Sequence, residues 1–159
     1  MADILTLIQT IWPIIGGLIG GLAWYRFFHK KERRLFKNIQ RPIGIIATED
    51  KPMAHEAELL RRVGFFDVGA PSSDSRAADI MNDFRLVIIG YTPASQAFKD
   101  AFSAAKQREV PVIVYAGPTK IGSDDIALLQ SYSYHSMCNT PLRLISDIFA
   151  VMSTYPEDK

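Results

Sequence analysis

The fold is decided by residues 85–114, which read RLVIIGYTPASQAFKDAFSAAKQREVPVIV. Two apolar runs rich in Val and Ile, residues 84–91 and 110–116, enclose a segment whose apolar residues recur at helical spacing: Phe98, Ala101, Phe102 and Ala105. Continuous apolar runs of this length are typical of strands that are buried on both faces of a parallel sheet. The stretch therefore predicts a strand, a helix and a second strand parallel to the first.

The same alternation continues on both sides of this stretch. Residues 42–48 form another apolar run, and weaker strand patterns cover residues 65–70 and 134–139. Helical patterns lie between the strands, and their starts are indicated by a Ser or Thr before an acidic residue or a proline, at Ser73, Ser123 and Thr140. Right-handed crossovers then predict an α/β fold with a five-stranded, parallel, doubly wound sheet of flavodoxin-like order 2-1-3-4-5.

A long uncharged run precedes the first predicted strand. From Ile4 to Tyr25 there are 22 residues without a formal charge. A helix of that length spans roughly 33 Å, which is enough for the hydrocarbon core of a bilayer. The first three residues, MAD, contain no basic residue, so the run does not have the pattern of a cleaved signal peptide. We therefore expect one N-terminal transmembrane helix that stays in the membrane.

The charges beside this run predict its orientation. Residues 26–37 carry six Lys and Arg against one Glu, whereas only Asp3 precedes the run. The positive-inside rule leaves the N-terminus outside and the rest of the chain in the cytoplasm, at a bacterial inner membrane. We expect an anchor at residues 1–28, a basic juxtamembrane linker at 29–40 and a cytoplasmic domain at 41–155. The residues expected to hold the anchor at the interface are Trp24, Tyr25, Arg26, Lys30 and Lys31.

Four glycines within the uncharged run are spaced for helix association. Gly16 and Gly20 are four residues apart, as are Gly17 and Gly21, so each pair lies on one helix face. Small residues at this spacing let two helix backbones approach closely in lipid. We therefore expect a homo-oligomer that assembles through the anchor.

Composition restricts the classes of partner and chemistry. From residue 40 onward there are 12 Lys and Arg against 15 Asp and Glu, a net charge of −3, which does not favour nucleic acid as a partner. Cys138 is the single cysteine, so an internal disulfide is impossible, as suits a reducing cytoplasm. The three histidines do not cluster with other ligands in a zinc-type pattern, and we expect no metal site.

Ligands of doubly wound sheets bind at the carboxyl ends of the strands, near the point where the strand order reverses. Polar and glycine residues follow the predicted strands there and form a small rim on an apolar scaffold. A nucleotide-like ligand or a protein partner would suit such a rim, and no particular cofactor is indicated. The candidate ligand-binding residues are Thr48, Glu49, Asp50, Gly90, Thr92, Ser95, Lys120 and Thr140.

Four segments resemble the receiver domains of two-component response regulators. These segments read LLRRVGFFDV (59–68), RAADIMNDFRLVII (76–89), VPVIVYAG (110–117) and NTPLRLISDIFAVM (139–152). Together they extend the likeness over nearly all of residues 42–152. The resemblance implies a signalling domain.

The phosphotransfer residues of that family do not carry over. The resemblance places the phosphate-accepting aspartate at Gly90, the Thr that follows strand four at Ala116, and the Lys before the proline at Thr140. Its acidic pair after strand one is retained as Glu49 and Asp50. The chain therefore resembles a degenerate pseudo-receiver that makes contacts rather than transferring phosphate.

Residues 85–114 also look like the strand–Ser–helix–strand segment of TIR domains and nucleoside deoxyribosyltransferases. That resemblance implies a catalytic Glu on the helix, and its position falls at Ala101, with Asp100 one residue away. A neighbouring position points about 100° away around a helix. This second resemblance therefore implies a related fold without its catalytic carboxylate.

These observations predict a membrane-anchored, non-catalytic signalling or assembly module. Its glycine-rich anchor would oligomerise, and its strand ends would bind a nucleotide-like ligand or a cytosolic protein. Two alternatives are a ligand-gated effector that perturbs the membrane and a TIR-like nucleotide glycohydrolase. No residue is predicted to be catalytic.

Overall fold

The computed structural model describes residues 2–73, 81 and 83–154, with side chains of the first helix described from Ile15 onward except at positions 31 and 34. Contacts divide the chain into two units between Lys37 and Asn38.

The first helix, α1, covers Ala2–Ile39, a total of 38 residues. It continues unbroken through the segments predicted as anchor and basic linker. Among the helices of the described residues, none is both long enough and apolar enough to cross a membrane. The predicted transmembrane helix is therefore not confirmed.

A five-stranded sheet forms the centre of the second unit. Its strands are β1 (Ile43–Ala47), β2 (Ser72–Ser73), β3 (Leu86–Gly90), β4 (Val112–Tyr115) and β5 (His135–Cys138). All neighbouring pairs are parallel, and the order is β2-β1-β3-β4-β5. The predicted α/β fold and the strand order 2-1-3-4-5 are confirmed.

Helices cover both faces of this sheet. They are α2 (Ala54–Val63), α3 (Gln96–Gln107), α4 (Ser123–Gln130) and α5 (Pro141–Thr154). Alternate residues of β3 face opposite sides: Leu86 and Ile88 pack with α2 and α5, whereas Val87 and Ile89 pack with α3 and α4. Because both faces are covered, the central strands are apolar throughout, which is the pattern that predicted them.

The second strand differs from its prediction. Val68, within the predicted strand 65–70, makes one isolated bridge to Ile43, and regular pairing with β1 resumes at Ser72–Ser73. Pro71 lies between the two pairings, and proline has no N–H to donate to a sheet ladder.

Helix starts agree with the sequence at Thr140, whose Oγ1 accepts a hydrogen bond from the Arg143 N–H at 3.2 Å. At α4 the prediction was wrong by one residue. Gly122 is the N-cap, in an extended conformation, and Ser123 is the first helical residue. The predicted helix after Ser73 lies outside the described residues.

Candidate functional site

The order reversal brings the ends of β1 and β3 together at the carboxyl edge of the sheet. Thr48 Oγ1 donates a hydrogen bond to the Gly90 carbonyl at 3.1 Å and lies 2.8 Å from Thr92 Oγ1. Thr48 and Thr92 are only 5% and 8% exposed. These three predicted residues are therefore brought together, but the two hydroxyls hydrogen-bond within the protein.

The acidic pair lies on a tight turn that leads away from this cluster. Thr48 N–H donates to the Lys51 carbonyl at 3.2 Å, and Lys51 N–H donates to the Thr48 carbonyl at 3.0 Å. Glu49 and Asp50 form the tip of this turn and are exposed. Within the described residues, no group of three or more His, Cys, Asp or Glu side chains could hold a metal ion.

The turn places Lys51 over the end of the sheet, a position that the sequence reasoning missed. Its Nζ donates a hydrogen bond to the Ala116 carbonyl at 3.1 Å and lies 5.4 Å from the centre of the Tyr115 ring. No carboxylate of the described residues pairs with this ammonium group. The sequence feature that could have predicted this position is the two-residue interval between Thr48 and Lys51. Such an interval allows a hairpin-like turn that brings the chain back to the end of β1.

Lys51 and Met53 fill the space beside Gly90. A Cβ added at Gly90 would lie 3.0 Å from Lys51 Cβ and 3.1 Å from both Lys51 Cγ and Met53 Cγ. Lys51 Cβ is attached to backbone that the turn fixes, so it cannot easily move aside. The position at which the receiver resemblance expects an aspartate therefore has neither a carboxylate nor ready room for one.

Gly117, two residues after β4, lies against the end of the Lys51 side chain. A Cβ at this position would lie 2.5 Å from Lys51 Nζ, and the backbone φ is +60°. Glycine adopts this left-handed conformation without a steric penalty. The backbone conformation therefore favours glycine here, whereas the end of the flexible lysine side chain could move aside for a Cβ.

A second polar cluster joins the β3 end to the start of α4. Tyr91 Oη donates to Asp125 Oδ2 at 2.8 Å and accepts the Gly122 N–H at 3.1 Å. Lys99 Nζ lies 4.0 Å from the other oxygen of Asp125, which is 5% exposed. Burial, followed by Asp125, raises the pKa of Tyr91 against the opposing effect of the Gly122 hydrogen bond. The cluster fixes the loop that precedes α4.

The remaining predicted site residues have structural roles or none. Ser95 Oγ accepts the Phe98 N–H at 3.3 Å and caps α3, as Thr140 caps α5. Lys120 is exposed and forms no hydrogen bond or ion pair with another described residue. Of the eight candidates, only Thr48, Gly90 and Thr92 form one cluster.

A cleft of about 370 Å³ opens at the same edge, beyond the ends of β4 and β5, and none of the eight candidates lines it. Its lining residues are Ala116, Thr119, Ile121, Met137, Cys138, Asn139 and Arg143. A larger cavity of about 430 Å³ includes His135, the first residue of β5, and so lies toward the opposite, amino end of the sheet.

The ionisable groups at the ends of β4 and β5 are held protonated at neutral pH. Burial, followed by interactions with Glu56, raises the pKa of Tyr115 to about 12. Burial, followed by Asp147, raises the pKa of the Cys138 thiol to about 12. A thiol acts as a nucleophile only as the thiolate, so Cys138 does not offer one near pH 7.

The helix position implied by the TIR resemblance faces the core. Ala101 is 1% exposed and packs among apolar side chains of α3 and the sheet. Asp100 is exposed and accepts a hydrogen bond from Gln96 Nε2 at 2.8 Å. A carboxylate at position 101 would be buried without a partner, which is costly.

His29 is half-buried and Asn38 and Ile39, at the end of α1, are buried, whereas the side chains from Ile15 to Phe28 are all exposed. Nothing lies within 4 Å of a Cβ added at the four glycines. The large apolar residues are 41–68% exposed: Ile15, Leu18, Ile19, Leu22, Trp24, Tyr25, Phe27 and Phe28. Arg26 and Lys30 are exposed as well, and the side chain of Lys31 lies outside the described ones.

The α/β unit is similar in structure to the Francisella response regulator 1452 receiver domain. The match has a TM-score of 0.55 at 12% identity and covers 71% of this chain and 97% of that domain. The receiver-like, flavodoxin-like fold is therefore confirmed, and at this identity the likeness shows the fold alone. No protein-family model and no curated protein sequence matches the chain. The TIR resemblance stays a prediction.

Proposed function

We propose that this chain is a membrane-anchored, non-catalytic signalling or assembly module whose α/β unit lies in the bacterial cytoplasm. One observation carries the proposal: the row of exposed apolar side chains on α1 between Ile15 and Phe28. Apolar patches that the chain itself leaves uncovered mark contacts with a membrane or another protein. The row belongs to an uncharged run that basic residues follow directly, and the positive-inside rule then gives the orientation.

The lack of free space beside Gly90 supports a non-catalytic role. Phosphotransfer of the receiver type needs a carboxylate nucleophile at that position, and Lys51 and Met53 occupy the space instead. The buried Tyr115 and Cys138 stay protonated, and Thr48 and Thr92 hydrogen-bond internally. We infer that the carboxyl edge binds rather than reacts.

The exposed glycines support self-association. Gly17 and Gly21, with Leu18, Leu22 and Tyr25, line a shallow concave surface of about 360 Å³ on α1. A second helix can approach such a surface closely because no Cβ keeps the backbones apart. In this proposal the anchors of two or more copies pack on their glycine faces.

The test of anchoring is fractionation of cells that express the full chain. Membranes are washed with alkaline carbonate, and intact cells or inverted vesicles are then treated with protease. The proposal expects the chain in the carbonate-resistant membrane fraction, with the α/β unit digested only in inverted vesicles. Release by carbonate, or digestion from the outside of intact cells, would contradict it.

The test of the carboxyl edge is a thermal-shift titration of the full chain in detergent with mononucleotides, dinucleotides and cyclic nucleotides. A ligand that binds only the folded state raises the melting temperature by mass action. A saturable rise identifies the nucleotide-like ligand. Unchanged melting with every nucleotide refutes that ligand class and leaves a protein partner as the proposed occupant of the edge.

A further inference from the structure

We propose that a stripe of five residues on α1, namely Tyr25, Arg26, His29, Lys30 and Arg33, binds the phosphate groups of anionic lipids at the membrane surface. This inference rests on the proposed membrane anchor and names the lipid class that the anchor prefers. We call these residues the headgroup stripe.

The five side chains share one side of the helix. They line a single concave surface of about 520 Å³. At about 100° per residue, they fall within a sector of roughly 140°. Leu18 and Leu22, two exposed apolar residues, lie in the same sector one to two turns earlier. Along this side the helix therefore changes from apolar to basic at Tyr25.

The positive charge of the stripe is not neutralised by any acidic side chain that the structure describes. No carboxylate of the described residues pairs with Arg26, Lys30 or Arg33. The one acidic residue nearby, Glu32, lies 3.3 Å from His29 Nδ1. Among the described residues the stripe thus presents three cations without a carboxylate partner, and these are available to an anionic partner from outside the chain.

The aromatic residue at the apolar end fits a lipid surface. The rings of Tyr25 and His29 are in contact, with centroids 4.8 Å apart. Tyrosine is enriched at membrane interfaces, where its ring meets the acyl region and its hydroxyl meets the headgroups. A soluble anion would need no apolar neighbours, so the continuity with Leu18 and Leu22 favours lipid.

The stripe is slightly longer than the headgroup region, so part of its basic end extends into the water beside it. From Arg26 to Arg33 the helix rises by roughly 10 Å. The headgroup region on each side of a bilayer is about 5–8 Å thick. Cations at this level meet the phosphates of the cytoplasmic leaflet, and each basic residue favours an anionic surface roughly fivefold.

The test is a competition between two vesicle populations, one of neutral phosphatidylcholine and one that also contains phosphatidylglycerol. The full chain is inserted from detergent into the mixture, the populations are separated by density, and the protein in each is measured. We expect the wild type to favour the anionic vesicles by at least roughly tenfold at low salt, and less at high salt because ions screen the attraction.

The variant R26Q/K30Q/R33Q should lose most of this preference and keep only the part that the other basic residues of 26–37, namely Lys31, Arg34 and Lys37, provide. The matched control, R62Q/K106Q/R108Q, removes three exposed charges from the α/β unit and should keep the wild-type preference. An equal distribution of the wild type, or an unchanged preference of the stripe variant, overturns the inference while leaving the anchor intact.

Failure of the anchor itself gives a different result. Recovery with anionic vesicles alone, followed by release in carbonate, would retain the headgroup stripe and contradict the transmembrane anchor. Recovery with neither population would overturn both proposals.

Discussion

Lys51 and Gly90 lie at the carboxyl end of β3, where the receiver resemblance places a nucleophile. The absence of the aspartate could be predicted from the sequence, because Gly90 aligns with the end of strand three. The replacement of that group by Lys51 could not be predicted, because it depends on the two-residue turn after Thr48. The sequence pattern predicts which residues lie near the carboxyl edge of the sheet. The geometry of the turns determines which side chain covers the end of a strand.

Substitution of Gly90 by Ala should destabilise the protein. The added Cβ would meet Lys51 and Met53 at 3.0–3.1 Å, and overpacking of this kind costs about 1–3 kcal/mol. Thermal melting of the full chain measures the effect. In combination with Lys51→Gly, which removes the opposing Cβ, the Gly90→Ala penalty should shrink; two fully additive effects would show that Lys51 does not fill the space beside Gly90.

Substitution of Tyr91 by Phe should loosen the start of α4. Among the described residues the buried Asp125 would keep only Lys99, at 4.0 Å, and an unsatisfied buried group costs about 1–3 kcal/mol. Tyr134→Phe is the matched control, since Tyr134 is 63% exposed and its substitution should change stability by less than about 0.5 kcal/mol. Equal melting temperatures for the two variants would refute the role of the Tyr91 hydroxyl.

Alkaline pH should destabilise the fold through Tyr115. Its folded pKa of about 12 lies above the unfolded value of 10.0, mainly because of burial. The unfolded chain therefore loses the proton first, so this contribution is complete below pH 10 and is lost as the pH rises from 10 to 12. The expected loss is about 2–3 kcal/mol. Denaturant unfolding at a series of pH values measures it. Tyr115→Phe should remove this part of the loss and leave the part due to Cys138, since burial raises the pKa of that thiol to about 12 as well. An unchanged profile in that variant contradicts the assignment.

At the scale of elements, the central strands were predictable because burial on both faces leaves continuous apolar runs. The edge strand was not, since β2 has two residues and Pro71 interrupts its ladder. Of the predicted helix caps, Thr140 was found at α5, whereas the α4 cap moved to Gly122, whose N–H is bound by Tyr91. The hydrogen bond from Tyr91, which follows β3, stabilises that cap. A contact between residues so far apart in the chain cannot be predicted from the local sequence.

The glycine face of α1 gives a prediction for one element. Replacing Gly16, Gly17, Gly20 and Gly21 with Leu should reduce the detergent-dispersed assembly to single chains, because branched side chains keep the backbones apart. Replacement of the same four residues with Ala keeps small side chains and serves as the control. Light scattering of the purified protein reports the mass, and an unchanged mass in the leucine variant would contradict assembly through this face.

At the scale of the whole molecule, periodicity and crossover handedness sufficed for the strand order, which agrees with a receiver domain of 12% identity. The arrangement of the site was less predictable. Thr48, Gly90 and Thr92 meet, but Ser95 and Thr140 cap helices and Lys51 was missed. Topology brings strand ends together, whereas hydrogen-bond partners decide which side chains remain available for a ligand.

We propose that α1 anchors this receiver-like unit in a bilayer. The chain has two tryptophans, Trp12 and Trp24, and both belong to the α1 sequence, so tryptophan fluorescence reports this helix alone. The two positions are separated along the helix by roughly 18 Å. Each can be observed singly in full-length chains that carry Trp24→Phe or Trp12→Phe.

The decisive measurement is quenching of these two variants in vesicles whose lipids carry bromine at different depths. We expect Trp12 to be quenched most by bromine near the bilayer centre and Trp24 most by bromine close to the headgroups. Equal, shallow quenching of both tryptophans, or none, would contradict a membrane-spanning anchor.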